Sequence, residues 1–255
     1  MKHSFGALPE WVSHPYQIYY VTLTIPSDIC GALISQDLPL IPIQRWASNK
    51  GLNEDIKLFR NPTNGFDTYA NFAVFLCASC TTLVRSLKTK IPSLDPETRS
   101  DESRWAELYG HLEEWWSSRP EEMKPILTIP ASEAKNGSPF PTVLYGNGPA
   151  VSGNQLYHTA TLLMLQERPS YVKVSKQQKS IFWHARQICA ISLSNTHHGA
   201  WTNSIQPIWL AGKVMSHPSE HLAILNILEM IERETGWATA WRREDLKSWW
   251  GDSDD

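Results

Sequence analysis

The chain has 255 residues, 42% of them apolar and 19% charged, and with 13 glycines its composition is that of an ordinary globular protein, which excludes disordered and collagen-like architectures. The formal net charge of -3 leaves no excess of cations to neutralise phosphates or anionic lipid, so direct nucleic-acid binding by this chain and attachment to a membrane surface are not expected. Four cysteines, Cys30, Cys77, Cys80 and Cys189, are too few for a disulfide scaffold at this length and suit a reducing compartment.

Along the chain, MKHSFGALPEWVSHP offers no continuous apolar run for a signal peptide, and a soluble, intracellular protein is the expectation. Tyr19 to Ile25 reads as a strand and Ser27 to Ser35 as a helix opened by Pro26 and Asp28. Over residues 68 to 87, Tyr69, Phe72, Ala73, Leu76, Cys80, Leu83, Val84 and Leu87 recur at steps of three and four, which predicts a helix buried on most of its circumference. Its apolar core, Phe72 to Val84, is interrupted by Ser79 to Thr82 and falls short of the roughly 18 to 20 residues that a membrane span needs.

Asp101 and Ser103 precede Trp105, Leu108, Leu112, Trp115 and Trp116, which predicts an amphipathic helix ending near Arg119 because of Pro120. The fragment Trp105 to Gly110 is like the start of a tetratricopeptide unit, but it occurs once, and one unit cannot bury its own apolar face. Breakers crowd Ile129 to Gly153, so a long irregular connection is expected there, with Pro141 to Tyr145 as a short strand inside it. Three more helices follow, over Asn154 to Arg168, Lys179 to Asn195, and Pro218 to Gly236, the last with Leu222, Leu225, Leu228 and Ile231 as its buried stripe. A final helix carries Trp237, Trp241, Leu246, Trp249 and Trp250. The fold class is therefore all-α, an irregular multi-helix array with a long Pro/Gly-rich connection.

Each motif that could carry chemistry has a plainer reading. Cys77-Ala78-Ser79-Cys80 has the spacing of half a zinc site or a redox pair, but Cys30 and Cys189 are isolated and the motif lies mid-helix, where a thiol gains nothing from a helix dipole. Core packing is the better reading. His217 and His221 are four apart, yet Pro218 pushes His217 out of helical geometry, so a capping segment is expected in place of a chelate. His197-His198-Gly199-Ala200-Trp201-Thr202-Asn203 reads as a turn between helices. Gly146-Asn147-Gly148 opens like a dinucleotide fingerprint, but Pro149 lacks an amide proton and Val151 stands where a small residue belongs. Glu113 and Glu114 are adjacent and splay about a helix, so no acid and base pair follows from them. Twelve tryptophans are assigned to core and helix-helix packing. The terminal Trp249-Trp250-Gly251-Asp252-Ser253-Asp254-Asp255 combines aromatics with acid, as a short activation patch does, but a tail that simply frays in solvent is the plainer reading. No catalytic, cofactor-binding or metal-ligating residue is assigned.

Gly153-Asn154-Gln155-Leu156-Tyr157-His158-Thr159-Ala160 running to Gln166-Glu167-Arg168-Pro169, then His184-Ala185-Arg186-Gln187-Ile188, then Asn195 through Gly199 to Trp201-Thr202-Asn203, resemble the fungal-specific transcription factor domain. Ile231 through Trp237 to Trp241, with Asp245, Leu246 and Trp249, is similar to the end of that family, and Arg119-Pro120 with Ser138 to Pro141 to its middle. The likeness covers most of residues 67 to 252; an earlier motif is represented by Pro26-Ser27-Asp28-Ile29, where only Asp28 matches. The family's Zn2Cys6 cluster needs six cysteines in two CxxC-bearing halves, and this chain has four cysteines and one CxxC.

The resemblance implies one regulatory domain over residues 1–255, truncated at its amino terminus relative to the family. It implies a nuclear regulator of a metabolic or specialised-metabolite gene set, working through protein partners, either transcription machinery or a DNA-binding regulator, with an unidentified effector and no enzyme activity. Two other readings stand beside it. One is a small-molecule-binding helical protein or enzyme whose tryptophan-lined pocket has His158, His197 or His198 as polar anchors; the other is a truncated gene product that folds poorly.

Overall fold

The computed structural model describes residues 28–35, 37–43, 52–60, 65–89, 100–133, 137–170, 172 and 178–252. The strand expected over Tyr19 to Ile25 lies outside the described residues. Residues 28–35 are helical (α1), as the sequence predicts. There follow α2 (Leu52–Phe59), α3 (Phe66–Thr89), α4 (Asp101–Ser117), β1 (Leu127–Ile129), β2 (Thr142–Leu144), α5 (Gly148–Gln166), α6 (Ile181–Ser194), α7 (His198–Gly212), α8 (Pro218–Thr235) and α9 (Ala240–Trp250). The all-α expectation holds: the described sheet is a single antiparallel pair in which Leu127 faces Leu144, Thr128 faces Val143 and Ile129 faces Thr142.

Local chemistry sets most of the helix ends. Ser100 caps α4 by accepting from the Ser103 amide, and Ser180 caps α6 by accepting from Trp183. Pro218 sits in the first turn of α8, where its missing amide proton costs nothing, and Gly236 closes that helix at φ 76° in the left-handed region.

At the centre, α5 is buried on nearly every side from Ala150 to Met164 and packs against α3, α4, α6 and α7. The approach of α3 to α5 depends on Gly153: a Cβ there would stand 2.8 Å from Met123 Cε and 3.2 Å from Ala70 Cα. By length and hydropathy alone Phe66–Lys88 could cross a bilayer, but 67% of its apolar window is buried inside the fold, the arrangement of a core helix. The hairpin packs on α6, α8 packs on α6 and α7, and α9 closes over α7 and α8.

Four expectations are corrected. The segment Ile129 to Gly153 carries the strand expected at Pro141 to Tyr145, as β2, but it is not irregular to its end, because α5 begins at Gly148, capped by the Asn147 side chain with Pro149 in its first turn. Residues 197 to 203 are not a turn: His197 caps α7, and His198 onward is helical. The buried stripe of α8 is Ile224, Ile227, Leu228 and Ile231, whereas Leu222 is 62% exposed. Equal steps of three fall about 60° behind per step and wind around the helix, while alternating steps of three and four stay on one face. Finally, not every tryptophan is core: Trp105, Trp115, Trp201 and Trp209 are buried, but Trp237, Trp241 and Trp249 are exposed.

Candidate functional site

Two places in the fold gather polar groups. The first is a polar stripe that α5 carries through the core. Asn154 donates from Nδ2 to Met123 O at 2.9 Å and Ala150 O at 2.8 Å, while its Oδ1 accepts from Arg119 Nη1 at 2.6 Å. The Arg119 guanidinium lies 3.3 Å from the Trp116 ring centroid, a cation held against an aromatic face. One residue on from Asn154, Gln155 Nε2 donates to Ser192 Oγ on α6 at 3.0 Å.

The next turn brings His158, fully buried, to His184 of α6 with their Nδ1 atoms 3.0 Å apart. One nitrogen must donate and the other accept. His158 Nε2 is buried without a partner, and an orphaned N–H is the rarer and costlier case. The network therefore assigns the proton to His158 Nδ1, which donates to His184 Nδ1. Burial holds both imidazoles neutral: it pulls His158 well below the usual histidine range, with His184 and Arg119 adding repulsion, and brings His184 down to about 3. Trp116, Tyr157 and Trp183 ring the pair, with centroids 5.3, 5.0 and 5.2 Å from that of His158. A pair held neutral in this way does not take up a further proton at neutral pH; it orders α5 against α6.

The second place is a cavity of about 380 Å³. Its floor is buried and mostly apolar, with Leu33, Val84, Leu163 and Leu210 beside the Trp209 indole. Its rim carries Arg85, Lys88, Glu167, Lys213 and the exposed Trp249. Lys88 pairs with Glu167 at 2.7 Å. The Lys213 ammonium stands 4.5 Å from the Trp209 ring centroid and 3.9 Å from that of Trp249.

The histidines named as pocket anchors do not converge. His158 is walled into the aromatic cluster, His197 caps α7 by accepting from Ala200 N at 3.3 Å, and His198 is exposed near Trp201. None of the three lines the cavity, which does have tryptophans. His217 caps α8 by accepting from Ser219 N at 3.2 Å, while the His221 ring stacks on Trp250 with centroids 3.8 Å apart, so they do not form a chelate.

Cys77 and Cys80 are fully buried in the middle of α3, and burial pushes both thiols well up from their ordinary value. Among the described residues no group of three or more His, Cys, Asp or Glu side chains is placed to hold a metal ion. Of the two tryptophans in the terminal acidic patch, Trp249 is 60% exposed and Trp250 packs on His221; residues 253–255 lie outside the described residues. Sequence reasoning missed His184 as the partner of His158 and Lys213 as a cavity cation. The first needs the α5–α6 packing to be known, and the second sits past the end of an unforeseen helix.

Among proteins of recorded function, the chain is similar to one named transcription activator AMTR1 of Alternaria alternata, 24% identical over 166 residues. The match takes in 58% of this chain but 22% of that protein, so the chain spans about a fifth of the length of its relative. No family model matches the chain, and no solved structure does.

Proposed function

We propose that this chain is a helical regulatory region of a fungal transcriptional regulator, without enzyme activity, that works in the nucleus through protein contacts and governs a metabolic or specialised-metabolite gene set. The observation that carries the reading is the 24% identity to a fungal transcription activator, on a chain whose described residues pack as an all-helical array. A net charge of -3 and four buried cysteines also fit a chain that leaves promoter contact to other polypeptide.

Fusing the chain to a heterologous DNA-binding domain upstream of a reporter, in a fungal host, tests the reading directly. The fusion should raise or lower the reporter relative to the bare DNA-binding domain. Deletion of the gene should shift transcripts of a coherent metabolic set. A reporter indifferent to the fusion, with an unchanged transcriptome in the deletion strain, would overturn the proposal.

A further inference from the structure

The cavity beside α7 is built unevenly. Its floor of Leu33, Val84, Leu163 and Leu210 is apolar, and the hydroxyl of Thr81 beside them donates to Cys77 O at 2.8 Å. Among the described residues no floor side chain is left to recognise a polar ligand.

The charge is at the rim, where among the described lining residues three cations, Arg85, Lys88 and Lys213, stand with one carboxylate, Glu167, and Asp37 also bears on Arg85. Lys88 takes up Glu167. Asp245, the carboxylate that bears on Lys213 from α9, is engaged by Trp209 Nε1 and by Arg242 Nη1 at 3.2 Å. Lys213 is thus held by indole faces, and burial draws its ammonium down from the ordinary lysine value, with Asp245 opposing. An ammonium that is partly desolvated and steered by two tryptophans gains strongly from an anion that can reach it.

We propose that this cavity binds a small organic monocarboxylate with an apolar body, its carboxylate on Lys213 and its hydrocarbon or ring portion on Leu33, Val84, Leu163, Leu210 and the Trp209 face. The volume of about 380 Å³ lies near the small end of the range for such ligands, about 300 to 1,000 Å³. The inference is independent of the regulatory reading, since it concerns binding by the purified chain.

Titration calorimetry with 3-phenylpropionate and octanoate, against their uncharged amides, tests it. At least one carboxylate should bind saturably, with its amide weaker by about tenfold or more. Lys213→Met, which keeps the stem and removes the charge, should weaken the carboxylate about tenfold and leave the amide unchanged, and Lys213→Arg should recover most of the loss. Gln166→Trp, which adds bulk at an exposed rim position, should weaken carboxylate and amide alike while the circular dichroism stays native. Equal binding of acid and amide, undiminished acid binding by Lys213→Met, or no saturation by either acid up to about 10 mM, well past ordinary weak affinities, would each refute the site.

Discussion

The histidine pair at the α5–α6 contact makes stability depend on pH in a defined window. Both side chains are buried, His158 fully and His184 to 3% exposure, and both are held neutral by burial, His184 down to about 3. In the unfolded chain each titrates near 6.5. Because the folded values are lowered, the unfolded state binds more protons as pH falls, so the stabilisation is complete above about pH 6.5 and is lost on acidification toward the folded values.

Each histidine then costs about 1.4 kcal/mol per pH unit below that point. By pH 5 this is about 2 kcal/mol each and about 4 kcal/mol for the pair, a large part of the roughly 5 to 15 kcal/mol that holds an ordinary domain folded. Urea unfolding between pH 7.5 and 5.0 measures the slope, and His184→Asn, whose Oδ1 stands near the place of Nδ1, isolates one contribution by leaving an acceptor for His158 Nδ1 while removing one titrating group. The variant should be less stable at pH 7.5 yet flatter by about 1.4 kcal/mol per unit below pH 6.5. His111, also lowered by burial and by Arg60, contributes equally to both proteins and cancels in the difference. A wild-type stability that stays level from pH 6.5 to 5.0, or a variant with the wild-type slope, refutes the reasoning.

Three further outcomes follow from packing. Gly153→Ala should cost about 1 to 3 kcal/mol, because its Cβ would meet Met123 Cε at 2.8 Å and the Ala70 backbone at 3.2 Å; Gly110→Ala in α4, with nothing within 4 Å, should be neutral or stabilising by up to about 1 kcal/mol, and melting temperatures separate the two. Asn195 accepts from Tyr145 N at 2.9 Å and donates to Val143 O and Ile191 O at 2.8 Å each, so Asn195→Ala should cost about 1 to 3 kcal/mol and lose hydrogen-exchange protection first at Tyr145. Leu228→Ala should destabilise by about 2 to 5 kcal/mol in urea, whereas Leu222→Ala on the exposed face should stay within about 0.5 kcal/mol of wild type.

The elements legible in the sequence are those whose apolar residues recur at helical steps without an internal breaker. α3 and α4 lie within a few residues of their predicted spans, and α8 runs from Pro218 to the Gly236 cap as expected. α7 was not legible, for two reasons. It is buried on nearly all sides from Ala200 to Gly212, so it shows no alternating stripe, and Pro207 inside it reads as a break. The first turns of α5 were hidden similarly, since Gly148, Pro149 and Gly153 count as breakers until Pro149 is placed in the first turn and Gly153 against α3. Two plain readings hold, since the CxxC is inside α3 and His217 is a cap, whereas the turn read at His197 to Asn203 is the start of α7. What spacing could not supply was convergence, because the His158–His184 contact joins residues 26 apart in sequence through the packing of two helices.

The tryptophans of the last helix were expected to bury its face, yet α9 is fastened mainly through polar atoms. Among its described residues, Leu246 is the buried hydrophobic, and it fits because Gly212 has no side chain: a Cβ there would stand 2.9 Å from Leu246 Cδ2. Arg243 of α9 pairs with Glu232 of α8 at 3.0 Å, and a further grip is on the end of α7, where a helix runs out of amide partners for its last carbonyls. Trp250 Nε1 donates at 3.0 Å to Gly212 O, which also accepts from Met215 N, and Trp249 Nε1 donates to Lys213 O at 3.1 Å. Asp245 of α9 accepts in turn from Trp209 Nε1, and the Arg242 guanidinium lies 4.0 Å from the centroids of both Trp209 and Trp241. Lys213 therefore has two positions at once: its carbonyl anchors α9, and its ammonium stands at the cavity rim between Trp209 and Trp249. Trp249 serves both, its indole N–H on the Lys213 carbonyl and its ring face beside the Lys213 ammonium, so the seat of α9 and the cavity rim share one side chain.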